Sequence, residues 1–142
     1  MAWDVLYYRA PGGATPGLDV LLDTGWPTNV RATMLAVLTA VADAPPPRFS
    51  GGGMWEAMHG DMSGFYEVRK QGSPNRTQYR LFCVLENPDA AGLKKRGLSG
   101  PAIVVITGMS KPWMTTFTAT EYATVRAMAD EYRATFPRRI AV

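Results

Sequence analysis

Short apolar segments bounded by Gly, Pro, Ser or Asn recur along this chain, and most are rich in β-branched and aromatic residues. That pattern is typical of β-strands rather than of helices. The stretch from Ala102 to Thr107 is apolar without alternation, as expected of a central strand that is covered on both faces. Five segments are predicted as strands: 3–8, 54–58, 65–70, 79–85 and 103–111.

In two segments, the apolar residues recur with the period of a helix. One apolar stripe repeats at intervals of three and four residues, and the run Pro45-Pro46-Pro47 ends that helix. Thr118 and Glu121 have the spacing of a capping box at the start of the second helix. The order of strand, helices, further strands and a last helix predicts an α+β fold. The stripe of the first helix consists of Val30, Met34, Val37, Leu38 and Val41.

A polar excursion from Glu86 to Pro101 separates the last two predicted strands. It contains Asn87-Pro88-Asp89 and several glycines around the basic run Lys94-Lys95-Arg96. We predict a long basic loop over 86–101. The basic run can contact RNA phosphates without reading sequence, and an ordinary solvated loop is the alternative.

The chain has 142 residues, of which 46% are hydrophobic and 19% charged, and its formal net charge is +3. These values predict one domain over residues 1–142 and permit, without requiring, a nucleic-acid partner. The single cysteine, Cys83, excludes an intramolecular disulfide and a multi-cysteine zinc site. Without a secretion signal or an apolar run approaching the roughly 18 residues of a membrane span, we expect a soluble cytoplasmic protein with no membrane contact.

Three of the predicted strands each carry a cation. Arg69 lies near the end of one strand, Arg80 near the start of the next, and Lys111 where the last strand opens into a loop. Strands that pair side by side can gather these cations on one surface, and alternation places Glu67 on the same face as Arg69. Because arginine grips phosphate through paired hydrogen bonds and stays charged, this surface favours a polyanion, with RNA as the first candidate.

The stretch 54–69 reads MWEAMHGDMSGFYEVR. It resembles the W-E-x-L-x-G-x-x-x-G-x-Y-E-x-R stretch of the RelE/ParE toxin superfamily, most closely the phage-derived HigB-like branch. The strand Tyr79-Arg80-Leu81-Phe82 resembles the Y-R-x-x-F strand that follows in the family, and 103–111 resembles an apolar strand closing on G-F-x-K-K. The leading strand and the two helices fall in the same order, so the likeness covers almost the whole chain.

The resemblance implies a RelE-like α+β fold, in which an N-terminal strand and helices pack on one side of a curved, mainly antiparallel sheet and a C-terminal helix follows. It implies the toxin of a type II toxin–antitoxin system, an endoribonuclease that inhibits translation by cutting mRNA on the ribosome. The reaction needs no metal ion or other cofactor. The partner is a cognate antitoxin, which we expect to be a helix-turn-helix protein. The ParE branch poisons DNA gyrase instead.

Metal-free RNA cleavage needs cations at the phosphate, a base and an acid. We assign the phosphate to Arg69, Arg80 and Lys111, of which Lys111 occupies the family position. Glu67 and His59, the only histidine, are the candidates for proton transfer. The structural alternatives are an ion pair between Glu67 and an arginine, and a turn role for His59.

Further RNA contacts are assigned to residues outside that group. Trp113 can stack on a base, as aromatic rings do in RNA sites, although a buried hydrophobic plug is an equal alternative. Lys70 can contact a phosphate or belong to a solvated face. The basic run Lys94-Lys95-Arg96 completes the set.

Two departures from the family pattern keep other functions open. Pro112 follows Lys111 where the family often has a second lysine, and the end of the chain, 138–142, lacks a late tyrosine or histidine. The same fold without working acid and base groups would be a non-nucleolytic binding module that inhibits a host protein, gyrase included. A harmless prophage remnant is the third hypothesis.

Overall fold

The computed structural model describes residues 2–22, 25–45, 53–72 and 75–142. All five predicted strands are present, and a short sixth strand at the C-terminus was not predicted. Within these ranges, no helix is both long enough and apolar enough to cross a membrane. The strands are β1 (Asp4–Tyr8), β2 (Trp55–Ala57), β3 (Phe65–Gly72), β4 (Thr77–Glu86), β5 (Ala102–Lys111) and β6 (Ile140–Ala141). The α-helices are α1 (Pro16–Leu22), α2 (Thr28–Asp43), α3 (Ala90–Arg96) and α4 (Ala119–Ala134).

The strands form one six-stranded sheet in the order β2-β3-β4-β5-β1-β6. Strand β1 runs parallel to β5, and the other neighbouring pairs are antiparallel. Strands β3 and β4 pair along their full lengths, from Phe65 opposite Val84 to Gly72 opposite Thr77. The α+β class, the mainly antiparallel sheet and the C-terminal helix are therefore confirmed.

One face of the sheet, the α2 face, packs against α1 and α2. The predicted stripe on α2 is entirely buried there. Helix α2 ends at Asp43, just before the proline run, of which only Pro45 is among the described residues. Sheet residues in this core include Val68, Leu81 and Val105.

The opposite face, the α4 face, packs against the last helix. Its core joins Val125 and Tyr132 of α4 to Phe82 and Val104 of the sheet. The expectation that the helices lie on one side of the sheet is thus wrong, because β5 is apolar on both sides and both must be covered. The predicted capping box starts α4: the Thr118 hydroxyl accepts a hydrogen bond from the backbone N–H of Glu121 and the Glu121 carboxylate accepts one from the backbone N–H of Thr118.

The segment 86–101 is not the long loop that the sequence predicts, because it contains α3. The Asp89 carboxylate accepts a hydrogen bond of 2.8 Å from the Gly92 N–H and caps the start of this helix. Gly97 ends it with a φ of 71°, a left-handed conformation that glycine adopts at little cost. The residues interpreted as loop punctuation are therefore the two caps of a seven-residue helix.

Candidate functional site

The register of the sheet brings the three predicted cations to the α4 face. Arg69 lies directly opposite Arg80 on the neighbouring strand. Lys111 lies opposite Gln78, two residues before Arg80 on β4. Alternate residues of a strand point to the same face, so Lys111 is one same-face step of about 7 Å further along the sheet. We call this group and its carboxylates the charged cluster: Glu56, Glu67, Arg69, Arg80, Lys111 and Glu121.

Both arginines of the charged cluster contact carboxylates. Arg69 pairs with Glu56, and its Nε lies 3.7 Å from Glu67 Oε1. The other oxygen of Glu67 lies 3.6 Å from Arg80 Nε. Glu67 therefore bridges the two guanidinium groups, and the ion-pair alternative for this residue describes a contact that exists in the structure.

Arg80 is held more firmly than Arg69. Its guanidinium donates hydrogen bonds to the Tyr79 carbonyl at 3.2 Å and to Gln78 Oε1 at 3.0 Å, and it lies 5.8 Å from the centre of the Phe117 ring. Its side chain is 11% exposed, against 38% for Arg69. Burial lowers the pKa of Arg80, but an arginine remains charged at neutral pH. Arg80 is thus the more buried of the two cations and is oriented by backbone and side-chain hydrogen bonds, whereas Arg69 is the more exposed one.

Glu67 is a carboxylate of the cluster whose pKa is raised by burial. Its side chain is 13% exposed. Burial raises its pKa, and this effect outweighs the opposing influence of Arg80 and then Arg69. A carboxylate whose pKa moves towards neutrality is better suited to accept a proton than an ordinary surface glutamate.

Lys111 is tied to the start of α4. Its Nζ lies 2.7 Å from Glu121 Oε1, and Glu121 also caps the helix at Thr118. The contact with Lys111, followed by the hydrogen bond from the Thr118 backbone, lowers the pKa of Glu121. With this pair included, the three cations of the charged cluster face three carboxylates, so the cluster has no formal net charge.

A cleft of about 440 Å³ opens beside Glu67. His59 lies at its edge, exposed, in the turn between β2 and the short 3₁₀ helix Gly60–Met62. The sequence assigned His59 either a turn role or proton transfer, and the structure places it in the turn and in the same cleft as Glu67. The cleft is lined by Glu56, Ala57, Met58, His59, Asp61, Met62, Glu67 and Tyr122.

Tyr122 is a proton donor in this cleft that the sequence analysis did not identify. On α4 it has the helical spacing of a residue that packs with Val125 and Tyr132. Its ring packs edge-on against Phe82, while burial and then the negative charge of Glu67 raise the pKa of its phenol. Tyr122 therefore stays protonated beside Glu67 and can donate a hydrogen bond or a proton.

Lys70 is separated from the cluster by the pleat of β3. It pairs with Tyr79, which belongs to the α2-face core, so its side chain starts from the other face of the sheet. A second groove, of about 320 Å³, nevertheless brings Lys70 together with Arg69, Arg80 and Gln71 at the end of the strand. The structure thus brings Lys70 near the charged cluster, at its rim.

Trp113 lies at the other end of the cluster, in the loop from β5 to α4. Its side chain is partly exposed, and the guanidinium of Arg76 lies 4.5 Å from its ring centre. The alternative of a buried hydrophobic plug is therefore wrong. Lys111 and Trp113 line the same cleft, of about 350 Å³.

The basic run of α3 lies away from the charged cluster. It follows Glu86, which is six residues, or about 20 Å, along β4 from Arg80. Arg96 forms an ion pair of 2.7 Å with the buried Glu86, and Lys95 lies 4.5 Å from the ring centre of Phe136. The structure therefore does not bring Lys94, Lys95 and Arg96 together with the other predicted site residues.

In the part of the chain that the structure describes, no group of three His, Cys, Asp or Glu side chains is placed to hold a metal ion. No protein-family model, curated protein or solved structure matches this chain.

Proposed function

We propose that this protein is the toxin of a type II toxin–antitoxin system, a ribosome-dependent mRNA endonuclease that uses no metal ion. The observation that carries the chemical part of the proposal is the position of Arg69, Arg80 and Lys111 on one face of the sheet, with the half-buried Glu67 between the two arginines. The resemblance of residues 54–69 to the HigB-like branch of the RelE/ParE superfamily supports the toxin and ribosome parts.

The proposed reaction is an internal attack of the RNA on its own phosphate. Glu67 takes the proton of a ribose 2′-OH, and the 2′ oxygen then forms a bond to phosphorus. The bond from phosphorus to the 5′ oxygen breaks, and His59 or Tyr122 protonates that oxygen. The products are a 2′,3′-cyclic phosphate and a 5′-hydroxyl. General acid–base catalysis of this kind contributes about 10²- to 10⁴-fold to the rate.

The two arginines have different roles in this proposal. Arg80 is already oriented by its hydrogen bonds to the Tyr79 carbonyl and the Gln78 amide, so it stabilises charge on the transferring phosphate with little reorganisation. Arg69 pairs with the exposed carboxylate of Glu56. Exchange of such an exposed pair for a phosphate costs little, since it is worth about 1 kcal/mol or less.

The partners follow from the same proposal. The substrate is mRNA on the ribosome, where a cytoplasmic protein acts. A cognate antitoxin, expected to be a helix-turn-helix protein, keeps the toxin inactive. The exposed lysines of α3, Lys94 and Lys95, would contact RNA phosphates outside the cleavage site in a salt-sensitive way.

One observation favours a second candidate function. The charged cluster pairs every cation with a carboxylate. A neutral, ion-paired surface on a rigid sheet also suits a binding module that inhibits a host protein without cutting RNA, as the ParE branch does with gyrase.

Induction of the protein in a bacterial host, with growth and mRNA on translating ribosomes followed together, separates these functions. We expect growth arrest with cleaved transcripts for the wild type, and loss of both for Arg80→Ala. Arg9→Ala is the matched control, because Arg9 is an exposed arginine at the end of β1, across the sheet from the cluster. It should arrest growth like the wild type.

Growth arrest with intact transcripts would support the binding module and contradict the nuclease. Unchanged toxicity of a folded Arg80→Ala protein would remove Arg80 from the site. Because Arg80 is largely buried, Arg80→Lys is tested beside it. Lysine keeps the positive charge but cannot form the bidentate hydrogen bonds of a guanidinium, so the Arg80→Lys protein should fold like the wild type and cleave poorly.

A further inference from the structure

Two loops meet at the end of the sheet beyond Lys111. One is the turn from β3 to β4, of which Asn75 and Arg76 are described, and the other is the loop that leads from β5 to α4. Their contact is the stacking of the Arg76 guanidinium on the Trp113 ring, 4.5 Å from its centre. A cation stacked on tryptophan is attracted by the negative face of the ring, and the pair forms a flat platform.

The backbone of this platform is unusual. In the described ranges, three non-glycine residues have a positive φ: Asn75 at 54°, Arg76 at 58° and Met114 at 63°. All three lie in these two loops. Such conformations cost about 1–3 kcal/mol each and tend to be retained where they serve a site. Part of this strain follows from the tight turn at Asn75, but no turn of that type requires it at Met114.

The loop after β5 is fixed to the sheet despite its exposure. Gln78 Nε2 donates hydrogen bonds to the carbonyl oxygens of Thr115, at 2.7 Å, and Pro112, at 3.3 Å. The Thr115 hydroxyl donates to the Pro112 carbonyl at 2.7 Å. Trp113 is thereby presented on a closed turn, and the residue is 45% exposed. A tryptophan side chain has only two rotatable bonds, so it loses little conformational entropy on binding.

The cleft beside this platform has the size and the chemistry for a nucleobase. Its volume is about 350 Å³. The amide of Asn75 and the hydroxyl of Ser110, which can hydrogen-bond to a base edge, line this cleft together with Lys111 of the charged cluster. The cleft is lined by Asn75, Thr77, Ser110, Lys111, Pro112 and Trp113.

We infer that this cleft is a subsite for one unpaired base of single-stranded RNA, which stacks on Trp113 while Lys111 contacts the adjoining phosphate. The identity of the ligand as RNA rests on the proposed function. Arg76 directly precedes β4, whose first residue, Thr77, lies three residues, or about 10 Å, along the strand from Arg80, a separation that one or two nucleotides of an extended RNA strand span. The platform therefore holds a base next to the phosphate at Arg69 and Arg80, and not the base at the cut itself.

The polar lining favours RNA over a protein partner. Base stacking on an aromatic ring tolerates any base, whereas the amide and hydroxyl groups around Trp113 can discriminate among bases by hydrogen bonding. A protein interface would rely on the neighbouring Met114, which is 79% exposed and lies outside the residues that line the cleft.

Binding of short single-stranded RNA homopolymers that carry 2′-O-methyl groups tests this inference without cleavage. Fluorescence anisotropy gives the affinity, and quenching of tryptophan emission reports stacking. We expect Trp113→Leu to weaken binding about tenfold and Arg76→Gln about threefold. Trp113→Phe should keep most of the affinity while losing the quenching. Met114→Ala is the matched control on the same loop and should bind RNA like the wild type.

Equal affinity of the wild type and Trp113→Leu for all four homopolymers would overturn the subsite, and so would absence of RNA binding by the wild type. A loss of binding to a protein partner, but not to RNA, in Trp113→Leu and Met114→Ala would identify a protein-docking surface instead. The nuclease proposal is judged separately by transcript cleavage. RNA stacking on Trp113 without transcript cleavage would support the subsite and contradict the nuclease. Transcript cleavage that does not depend on Trp113 would support the nuclease and contradict the subsite.

Discussion

Over the same stretch, strands β3 and β4 present apolar side chains to one face of the sheet and charged side chains to the other. Towards α2 they present Val68 and Leu81, both fully buried in an apolar core. Towards α4 they present Glu67, Arg69 and Arg80, which form a chain of ion pairs. An apolar face is enough to hold a helix against a sheet, as the α2 face demonstrates. Partly buried ion pairs are often no better for stability than apolar residues of the same size, so the charges on the α4 face call for a functional explanation.

The largest effect is expected on the α2 face. Leu81→Ala removes a buried side chain and leaves a cavity, so we expect the free energy of unfolding to fall by about 2–5 kcal/mol. Leu35→Ala is the matched control, because Leu35 lies on α2 but is 41% exposed. It should change stability by about 0.5 kcal/mol or less. Urea unfolding measures both, and a similar loss for the two variants would contradict the described core.

A pair of variants tests whether the ion pair between Arg80 and Glu67 stabilises the fold more than apolar residues at the same positions would. Arg80→Met leaves Glu67 half-buried beside a single arginine, and we expect a loss of about 3 kcal/mol. Adding Glu67→Leu removes the second charge and should restore stability to within about 1 kcal/mol of the wild type. The double variant should have no nuclease activity. A double variant as unstable as Arg80→Met would assign the pair a structural role.

A smaller effect is expected at the start of α4, the helix that covers this face. The Thr118 hydroxyl accepts a hydrogen bond of 3.1 Å from the Glu121 N–H. We expect Thr118→Ala to lower the free energy of unfolding by about 1 kcal/mol. Thr39→Ala is the control within the other long helix, since the Thr39 hydroxyl only donates to the Leu35 carbonyl of the same helix. Equal effects of the two substitutions would argue against the cap.

The smallest effect concerns pH. Burial raises the pKa of Glu67 above its ordinary value of 4.5. The folded protein therefore binds this proton more tightly than the unfolded chain does, and the stabilisation is fully present below pH 4.5 and lost as the pH rises through the raised pKa. Relative to Glu67→Gln, the wild type should lose stability over that window and then level off. A wild type that gains stability relative to Glu67→Gln as the pH rises would contradict the raised pKa.

Strand alternation and the pairing of consecutive strands were sufficient to predict that the arginines can share a face. Glu67 and Arg69 share a face because they are two residues apart, and the pairing of two consecutive strands brings Arg80 beside them. The carboxylate partner Glu56 could not be identified, because it depends on the register between β2 and β3. Local patterns therefore predict which side chains share a face, and the register decides which of them touch.

The remaining features depend on tertiary packing. Tyr122 has the spacing of a packing residue on α4. Its phenol lies beside Glu67 only because α4 packs against this face of the sheet. Helix α3 has both caps in the sequence, Asp89 and Gly97, but its seven residues are too few to show a helical period. Strand β6 has only two residues and forms because β1 offers it an edge.

The most direct test of the account is the chemistry of the RNA ends. Purified protein is added to translating ribosomes, and the 3′ ends of the mRNA fragments are analysed for the wild type and for Arg80→Lys. We predict 2′,3′-cyclic phosphate ends with the wild type and at least tenfold fewer fragments with the variant. A tenfold loss corresponds to about 1.4 kcal/mol of transition-state stabilisation by one oriented cation. Intact mRNA with the wild type, or equal cleavage by the two proteins, would contradict the role assigned to the charged cluster.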